Sequence, residues 1–515
     1  MIRTRQLFLW VCLLLPALAG CLPAAPSTAP MVARRPAGCT SFLAALQNEI
    51  DAAGVGNAAS YQIPGFPYLR ADRFLAIRPE IKPFSAENAA AWIDELRGLD
   101  GRARQSEIRN LPSAARQRIS SGYQLASDPA SLQLYVESCA GELWQSDRQS
   151  ADFVSAVRSA AQVPDEYRLA YRVAGLYPLT SLPVLYLTDK ARRTFLEWHK
   201  TDPQQLPVAG HLRAFTPTRD AAGGMSVVDL YSSAARDWLG LPLLTAEQEL
   251  RLVGLLAPVL VQDVVDADDV PGLVAWEDGH VRIDSGQPSG YYFFSRALYR
   301  RQPVLQVNYV FWYGARKGPE APWIEQGNLD GLTVRVTLAP DGKPFMVDVM
   351  NNCGCYHFFV PSSTAVAKVR DLPWSLDAFV PTWLPYDYPR RRLLLRVNAG
   401  WHQVQHVSSG MPFSDVTGYQ LHPYAELESL PGGAGDRVSL FDPRGVAKGS
   451  PRNEYLLLFP MGLPDVGSMR QRGHQAIRLV GREHFDDPLL FDHNFVWSAD
   501  ETEVEEPELE FLPGD

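Results

Sequence analysis

The stretch NNCGCYHFF, Asn351 to Phe359, sets Cys353, Cys355 and His357 at every second position. Thiolates and imidazole are ligands that zinc or copper accepts. On a β-strand alternate residues share one face, so the three side chains would project together. A closed structural site needs a fourth ligand from elsewhere in the chain. Gly354 allows a second geometry, a sharp turn in which the two sulfurs bond to each other or act as a redox dithiol. The single residue between the cysteines excludes the Cys-x-x-Cys-His pattern of c-type haem attachment. Three chemistries therefore stay open at this stretch: a disulfide, a metal site and thiol exchange.

Seven of the ten histidines follow residue 350, and they supply the candidate partners. His402 and His406 stand four apart, a chelating spacing on a helix. Asn398-Ala399-Gly400 reads instead as a turn between strands, where four residues span roughly 13 Å, so the two rings would not share an ion. His484 lies beside Asp486 and Asp487 and before Pro488, in a segment that reads as a loop. A histidine beside carboxylates suits general acid–base work or cation binding, and equally caps a turn. Arg470, Arg472 and His474 form a basic counterpart for an anionic substrate or for those aspartates. His402, His474, His484 and Asp486 are thus the candidate catalytic groups around Cys353, Cys355 and His357. No Gly-x-Ser-x-Gly, phosphate-cradling loop or His-Glu-x-x-His motif occurs.

The elements that must position these residues fall into two blocks, an α+β arrangement. Residues 39–223 read as a mainly helical domain with a connector. Phe42, Leu43, Leu46 and Ile50 follow Thr40 or Ser41 at helical spacing and stop at Gly54. Ala89, Trp92, Ile93 and Leu96 mark a helix over 85–99, and Leu132, Tyr135, Val136, Cys139 and Leu143 a third. The proline-interrupted segment 164–223 is left as connector. Residues 224–497 read as an antiparallel β-rich domain, preceded by a capping box at Thr245 and Gln248. Asp278-Gly279 marks a hairpin, and Leu305, Val307, Tyr309, Phe311 and Tyr313 alternate on one strand face, with Trp312 opposite. LTVRVTLAPDGKPFMVDVM reads as two strands around Pro340-Asp341-Gly342. RRLLLRVNAGWHQVQHV, EYLLLFPM and QAIRLVG read as further strands.

Residues 1–20 carry Arg3 and Arg5 and an apolar run from Leu7 to Leu18, shorter than the roughly 20 residues that span a bilayer. With Leu18, Ala19, Gly20 and Cys21 this segment resembles the lipobox signal of bacterial lipoproteins. The resemblance implies cleavage before Cys21 and acylation of that cysteine, with membrane lipid as partner. Leu22, in place of the retention aspartate, points to the outer membrane. An ordinary signal site at Ala17-Leu18-Ala19 is the competing reading. Residues 21–38 then form a Pro/Ala-rich tether. The envelope is oxidising, so Cys39 and Cys139, on helices of one unit, are expected to pair. The net charge of −10 and an acidic tail over 498–515 exclude nucleic acid as partner, since phosphate neutralisation needs a basic face. Together these readings describe a lipid-anchored envelope lipoprotein acting as a binding or structural module. An envelope enzyme with a metal or thiol site at Cys353, Cys355 and His357 is the alternative.

Overall fold

The computed structural model describes residues 37–81, 85–218, 225–372, 375–410 and 415–498. The signal segment, Cys21, most of the tether and nearly all of the acidic tail lie outside the described residues.

The first block is helical. Helix α1 (Ala37–Ala53) buries Cys39, Phe42, Leu43, Leu46 and Ile50 and ends at Gly54, whose positive φ closes the helix. A small hairpin, β1 (Tyr61–Ile63) and β2 (Phe66–Ala71), leads to α2 (Arg73–Ile81) and α3 (Ala86–Asn110). Ser85 caps α3, whose N-terminal turns bury Ala89, Trp92, Ile93 and Leu96. The helix runs well past the expected Leu99 because its second half buries charge rather than apolar surface. Arg70 of β2 meets Asp100 at 3.1 Å and Glu107 at 2.8 Å, and Arg104 meets Glu107 at 3.2 Å. Helices α4 (Ser113–Tyr123), α5 (Pro129–Asp147) and α6 (Phe153–Ala160) complete the block. Cys139 of α5 faces Cys39 of α1, and the two form the expected disulfide.

The connector is largely helical too. It holds α7 (Leu169–Ala174) and the long α8 (Tyr177–Lys200), which contains both Pro178 and Pro183. Pro178 sits in the first turn, where the amide has no intrahelical partner to lose. Strand β3 (His211–Pro217), from the end of the connector, joins the large sheet and so belongs structurally with the second block.

That block begins with α9 (Val227–Ser233), the short pair β4 (Ala235–Arg236) and β5 (Pro242–Leu243), and α10 (Ala246–Leu256), whose Thr245–Gln248 capping box is formed. The strands β6 (Val259–Val264), β7 (Gly272–Glu277), β8 (His280–Tyr299), β9 (Gln302–Arg316), β10 (Gly327–Leu338), β11 (Pro344–Asn351) and β12 (Phe358–Pro361) follow. After β13 (Val366–Val369), which pairs with the strand Phe495–Trp497, come β14 (Arg392–Val397), β15 (Val404–Gly410) and β16 (Val416–Pro423). The large sheet has the order β12-β11-β10-β9-β8-β16-β3-β6-β14-β15, with β7 also on β8. Most pairings are antiparallel. β16 runs parallel to both β8 and β3, and β14 parallel to β6, making the sheet mixed.

Leu305, Val307, Tyr309, Phe311 and Tyr313 of β9 share one face and one core with the N-terminal helices. Trp312, expected on the opposite face, is fully buried there, in a second core with Tyr291, Leu440 and Phe441. A two-faced sheet buried on both sides leaves no solvent side for an aromatic platform. Two expected strands are also corrected. EYLLLFPM forms a short helix, α11 (Tyr455–Leu458), and a 3-10 turn through Met461, leaving Leu456 and Leu457 exposed. QAIRLVG makes only the isolated bridge Ala476–His484, its backbone being held by Tyr167, whose hydroxyl donates to Arg478 O at 2.7 Å. The short helix α12 (Leu490–Asn494) precedes the last strand.

Candidate functional site

Strand β11 ends at Asn351 and β12 begins at Phe358, so Cys353, Cys355 and His357 occupy a hairpin loop. Gly354 has φ +91° and Tyr356 φ +55°, and the chain reverses where a continuous strand was expected. The three side chains therefore do not line up on one strand face. A Cβ at position 354 would lie 2.5 Å from the Ala476 carbonyl oxygen, so glycine meets both the φ and the space. The loop is pinned by its own backbone: Asn351 N–H donates to Cys355 O at 3.0 Å, and Gly354 N–H to Asn351 O at 2.8 Å. Asn352 donates to Phe311 O at 3.1 Å and accepts from Thr333 at 2.7 Å. These bonds tie the turn to the centre of the sheet.

Cys353 and Cys355 are free thiols, so the turn holds a dithiol where a disulfide was one expectation. The two sulfurs are inequivalent. Cys353 accepts the thiol proton of Cys355 and, at 3.4 Å, the Cys355 N–H. That hydrogen bonding lowers the Cys353 pKa against the opposing effect of burial, helped by the buried Arg316 cation. Cys355, donating to its neighbour and buried, is pushed well up. Of the two, Cys353 is the more acidic sulfur and Cys355 the less acidic one.

Arg316 itself is held by Asp330, at 2.8 and 3.0 Å, and by Glu325 at 2.7 Å. Glu325 also accepts from Tyr356 at 2.5 Å and Trp401 at 3.1 Å. Glu454 stands nearby without a cation of its own. Burial, then the negative charges of Cys353 and Glu325, push its pKa up to about 8, so it is neutral at pH 7.

Cys353, Cys355, Tyr356, Glu325 and Glu454 line one wall of a cavity of about 220 Å³. The facing wall is apolar and comes from α8 and from the chain around α11: Val184, Leu187, Phe195, Leu458, Leu463 and Leu479. His357, Arg470 and His474 also reach this cavity.

The histidines are committed elsewhere. His357 Nε2 meets Asp348 at 3.0 Å, and burial lowers its pKa. His474 lies 2.9 Å from Glu166 through Nδ1 and 2.7 Å from Ala58 O through Nε2, so both ring nitrogens face acceptors. His402 sits in the turn before β15, away from the cavity, stacked on Tyr313 at 4.0 Å. Its nitrogens meet Asp330 at 2.8 Å and Asp269 at 3.2 Å. Burial opposes its charge, but the two carboxylates prevail and raise its pKa. His484 is lowered by burial to about 4 and lies 3.3 Å from Asp165, while Asp486 pairs with Arg73 at 3.0 Å. Neither lines the cavity with the thiols. Of the candidate catalytic groups, His474, His484 and Asp486 lie near one another around Glu166 and Arg73, whereas His402 stands apart with Asp330 and Asp269; each holds a structural partner. Among the described residues no three His, Cys, Asp or Glu side chains come together as ligands for a metal ion, so the residues present do not fit zinc or copper.

Sequence reasoning missed Glu454, Glu325, Glu166 and Arg316. Glu454 opens the segment read as a strand, and Glu166 lies in the unassigned connector. Arg316 alone left a signal, a charge closing an otherwise apolar strand. No protein-family model, curated protein or solved structure matches this chain.

Proposed function

We propose that this chain is a lipid-anchored cell-envelope protein whose body binds an apolar ligand in the cavity between α8 and the Cys353–Cys355 turn. The observation that carries the binding reading is the cavity itself, enclosed by leucine, valine and phenylalanine on one side and by a few convergent polar groups on the other. Its volume of about 220 Å³ exceeds the ~150 Å³ of a dry apolar cavity that takes up benzene. It stays below the ~300 Å³ at which drug-sized ligands begin. A slender apolar group fits that range. Neutral Glu454 adds no charge of its own to a lining that also holds Glu325, Arg192 and Arg470. Support for the anchor comes from the lipobox-like segment ending at Cys21.

The binding test is titration of the purified protein with N-phenyl-1-naphthylamine. Saturable fluorescence is expected, weakened at least tenfold by Ala191→Trp, which fills the cavity from α8. A wild-type protein showing no saturable signal sinks the reading. Labelling with a palmitate analogue tests the anchor, with Cys21→Ala expected to abolish it.

A second reading is favoured by one observation, two free thiols in one turn of which Cys353 is made the more acidic by its hydrogen bonds from Cys355. In thiol exchange, the Cys353 thiolate attacks one sulfur of a substrate disulfide and expels the other as thiolate. Cys355 then gives up its proton, closes on Cys353 and releases the second substrate thiolate. The protein ends as a disulfide and the substrate as two thiols. Cys355→Ser is expected to trap the mixed disulfide, visible by intact mass.

A further inference from the structure

The described residues leave eighteen large apolar side chains exposed, and nine of them lie together on α7, α8 and α11 and their junctions. Leu169, Val173 and Leu176 lead into Leu179, Leu182, Tyr186 and Leu187 of α8, each more than half exposed, with Leu456 and Leu457 alongside. Residues 179, 182 and 186 fall on one helical face, while Ser181, Val184 and Phe195 of the same helix are buried. α8 is therefore apolar on two sides. Its inner side closes the cavity and its outer side meets solvent.

The unit is seated firmly. Arg168 N–H donates to Gly462 O, and Arg172 reaches Met461 O at 3.0 Å and Gly481 O at 2.5 Å. Gly175 packs so closely on Pro460 that a Cβ there would lie 2.5 Å from the proline Cα. The outward leucines are thus held outward by a built scaffold.

We infer that the outer face of α7, α8 and α11 lies in the interfacial layer of a membrane, and that the ligand of the cavity is a lipid acyl chain entering past Leu187 and Leu458. The second half of this inference rests on the cavity reading above. Three features favour lipid as the occupant of the face. From Val173 to Thr188 the chain has no charged residue. Exposed Arg168 and Lys190 stand at the ends of that run, where Arg193 pairs with the exposed Asp189 at 2.5 Å, leaving two basic side chains to meet anionic headgroups on a chain whose net charge is −10. Acylation at Cys21 would leave sixteen residues before α1, enough at full extension for roughly 50 Å of reach, so the body can settle on the bilayer that holds its anchor. Leu187 joins the two halves, since it is 60% exposed on the face and also lines the cavity.

The experiment uses the mature chain, residues 21–515 with Cys21→Ala, and vesicles of phosphatidylethanolamine and phosphatidylglycerol. The unacylated protein is expected to float with the vesicles. A triple variant, Leu179→Asp, Leu182→Asp and Tyr186→Asp, is expected to lower the bound fraction at least tenfold with an unchanged thermal midpoint. The unacylated parent remaining with the soluble fraction overturns the membrane face, as does a concentration-dependent dimer that the triple variant dissolves, which would make a second copy the occupant. For the ligand, the protein is expected to extract a dansyl-labelled fatty acid from the vesicles, and Ala191→Trp to block extraction while leaving flotation intact. Binding of the naphthylamine without extraction of the fatty acid overturns the acyl-chain assignment and leaves the cavity reading standing. Loss of both removes the cavity reading, and flotation still reports separately on the face.

Discussion

Two cysteine pairs in this chain meet opposite fates. Cys39 and Cys139 sit on facing helices, inside the core that α1, α3 and α5 share, and are bonded. Cys353 and Cys355 sit two residues apart in a turn at a cavity wall and are free. The first pair links positions 100 residues apart and constrains the unfolded chain. The second closes no long loop, so bonding it would contribute little in that way, and its sulfurs are governed by Arg316 and Glu454 instead. The largest expected effect follows from this difference. Replacing Cys39 and Cys139 together by serine should cost about 4 to 5 kcal/mol in urea unfolding, the chain-entropy value for a loop of this length. Replacing Cys353 and Cys355 by alanine should cost about 1 kcal/mol, the centre of the range for ordinary substitutions. Equal losses would erase the contrast.

The helical block and the turn also differ in how they bury charge. In the helical block Arg70, from β2, and Arg104 share Asp100 and Glu107 of α3. Near the turn, Asp330 of β10 bridges Arg316 of the neighbouring β9 and His402 of the turn before β15, far along the chain. Asp330→Asn leaves two cations short of their partner and should cost about 3 kcal/mol or more, measured by denaturant unfolding. The pH dependence has a defined sign. Burial opposes ionisation of Asp330, but Arg316 and His402 hold its pKa below the ordinary 3.8. That contribution is present above about 4 and lost as pH falls. His402 is raised above 6.5, so its contribution is full below that pH and lost as pH rises through the higher value. The network should therefore be strongest between about 4 and 6.5, and Asp330→Asn should flatten both flanks.

Legibility in the sequence divides along the same line. Local rules reach the helical block: Phe42, Leu46 and Ile50 give the buried face and Gly54 the stop, although the helix begins at Ala37, ahead of the Thr40 or Ser41 expected to open it. They reach the hairpin at Asp278-Gly279 and the inner face of β9 for the same reason. They fail where tertiary contacts decide. Alternation of Cys353, Cys355 and His357 matched a strand, yet the packing of Gly354 on Ala476 imposes a turn. Leu456 and Leu457 matched a strand and stand exposed on a helix. The α+β class follows from periodicity, whereas the cavity needs α8, the β11–β12 turn and the chain around α11 at once, and no local window contains them. Gly354→Ala tests the turn directly. It should cost about 1 to 2 kcal/mol for the left-handed backbone, plus the shift that the Ala476 contact forces. It should also slow alkylation of Cys353 if the thiol pair loses its alignment. Unchanged stability would mean that the reversal at 354 is not fixed by glycine.

The smallest expected effect separates the two pairs by chemistry alone. No ionisable group next to the Cys39–Cys139 bond bears on a ligand, whereas Glu454 lies in the cavity wall with Cys353. Its carboxyl is neutral at pH 7 because burial and the charges of Cys353 and Glu325 hold its pKa at about 8. The folded state thus keeps a proton that the unfolded chain releases above 4.5, so Glu454 makes stability fall as pH rises from about 4.5 to 8 and has no further effect above it. For an apolar ligand the sign is the same but the window lies higher. Affinity should be flat below about 8 and fall above it by up to tenfold per pH unit, because the ligand would have to cover a carboxylate. Glu454→Gln keeps shape and polarity without the charge. It should preserve naphthylamine binding at pH 7 and remove the decline between pH 8 and 9, measured by parallel titrations. Decline persisting in the variant would show that Glu454 is not the charge that the ligand senses and would remove the carboxyl from the account.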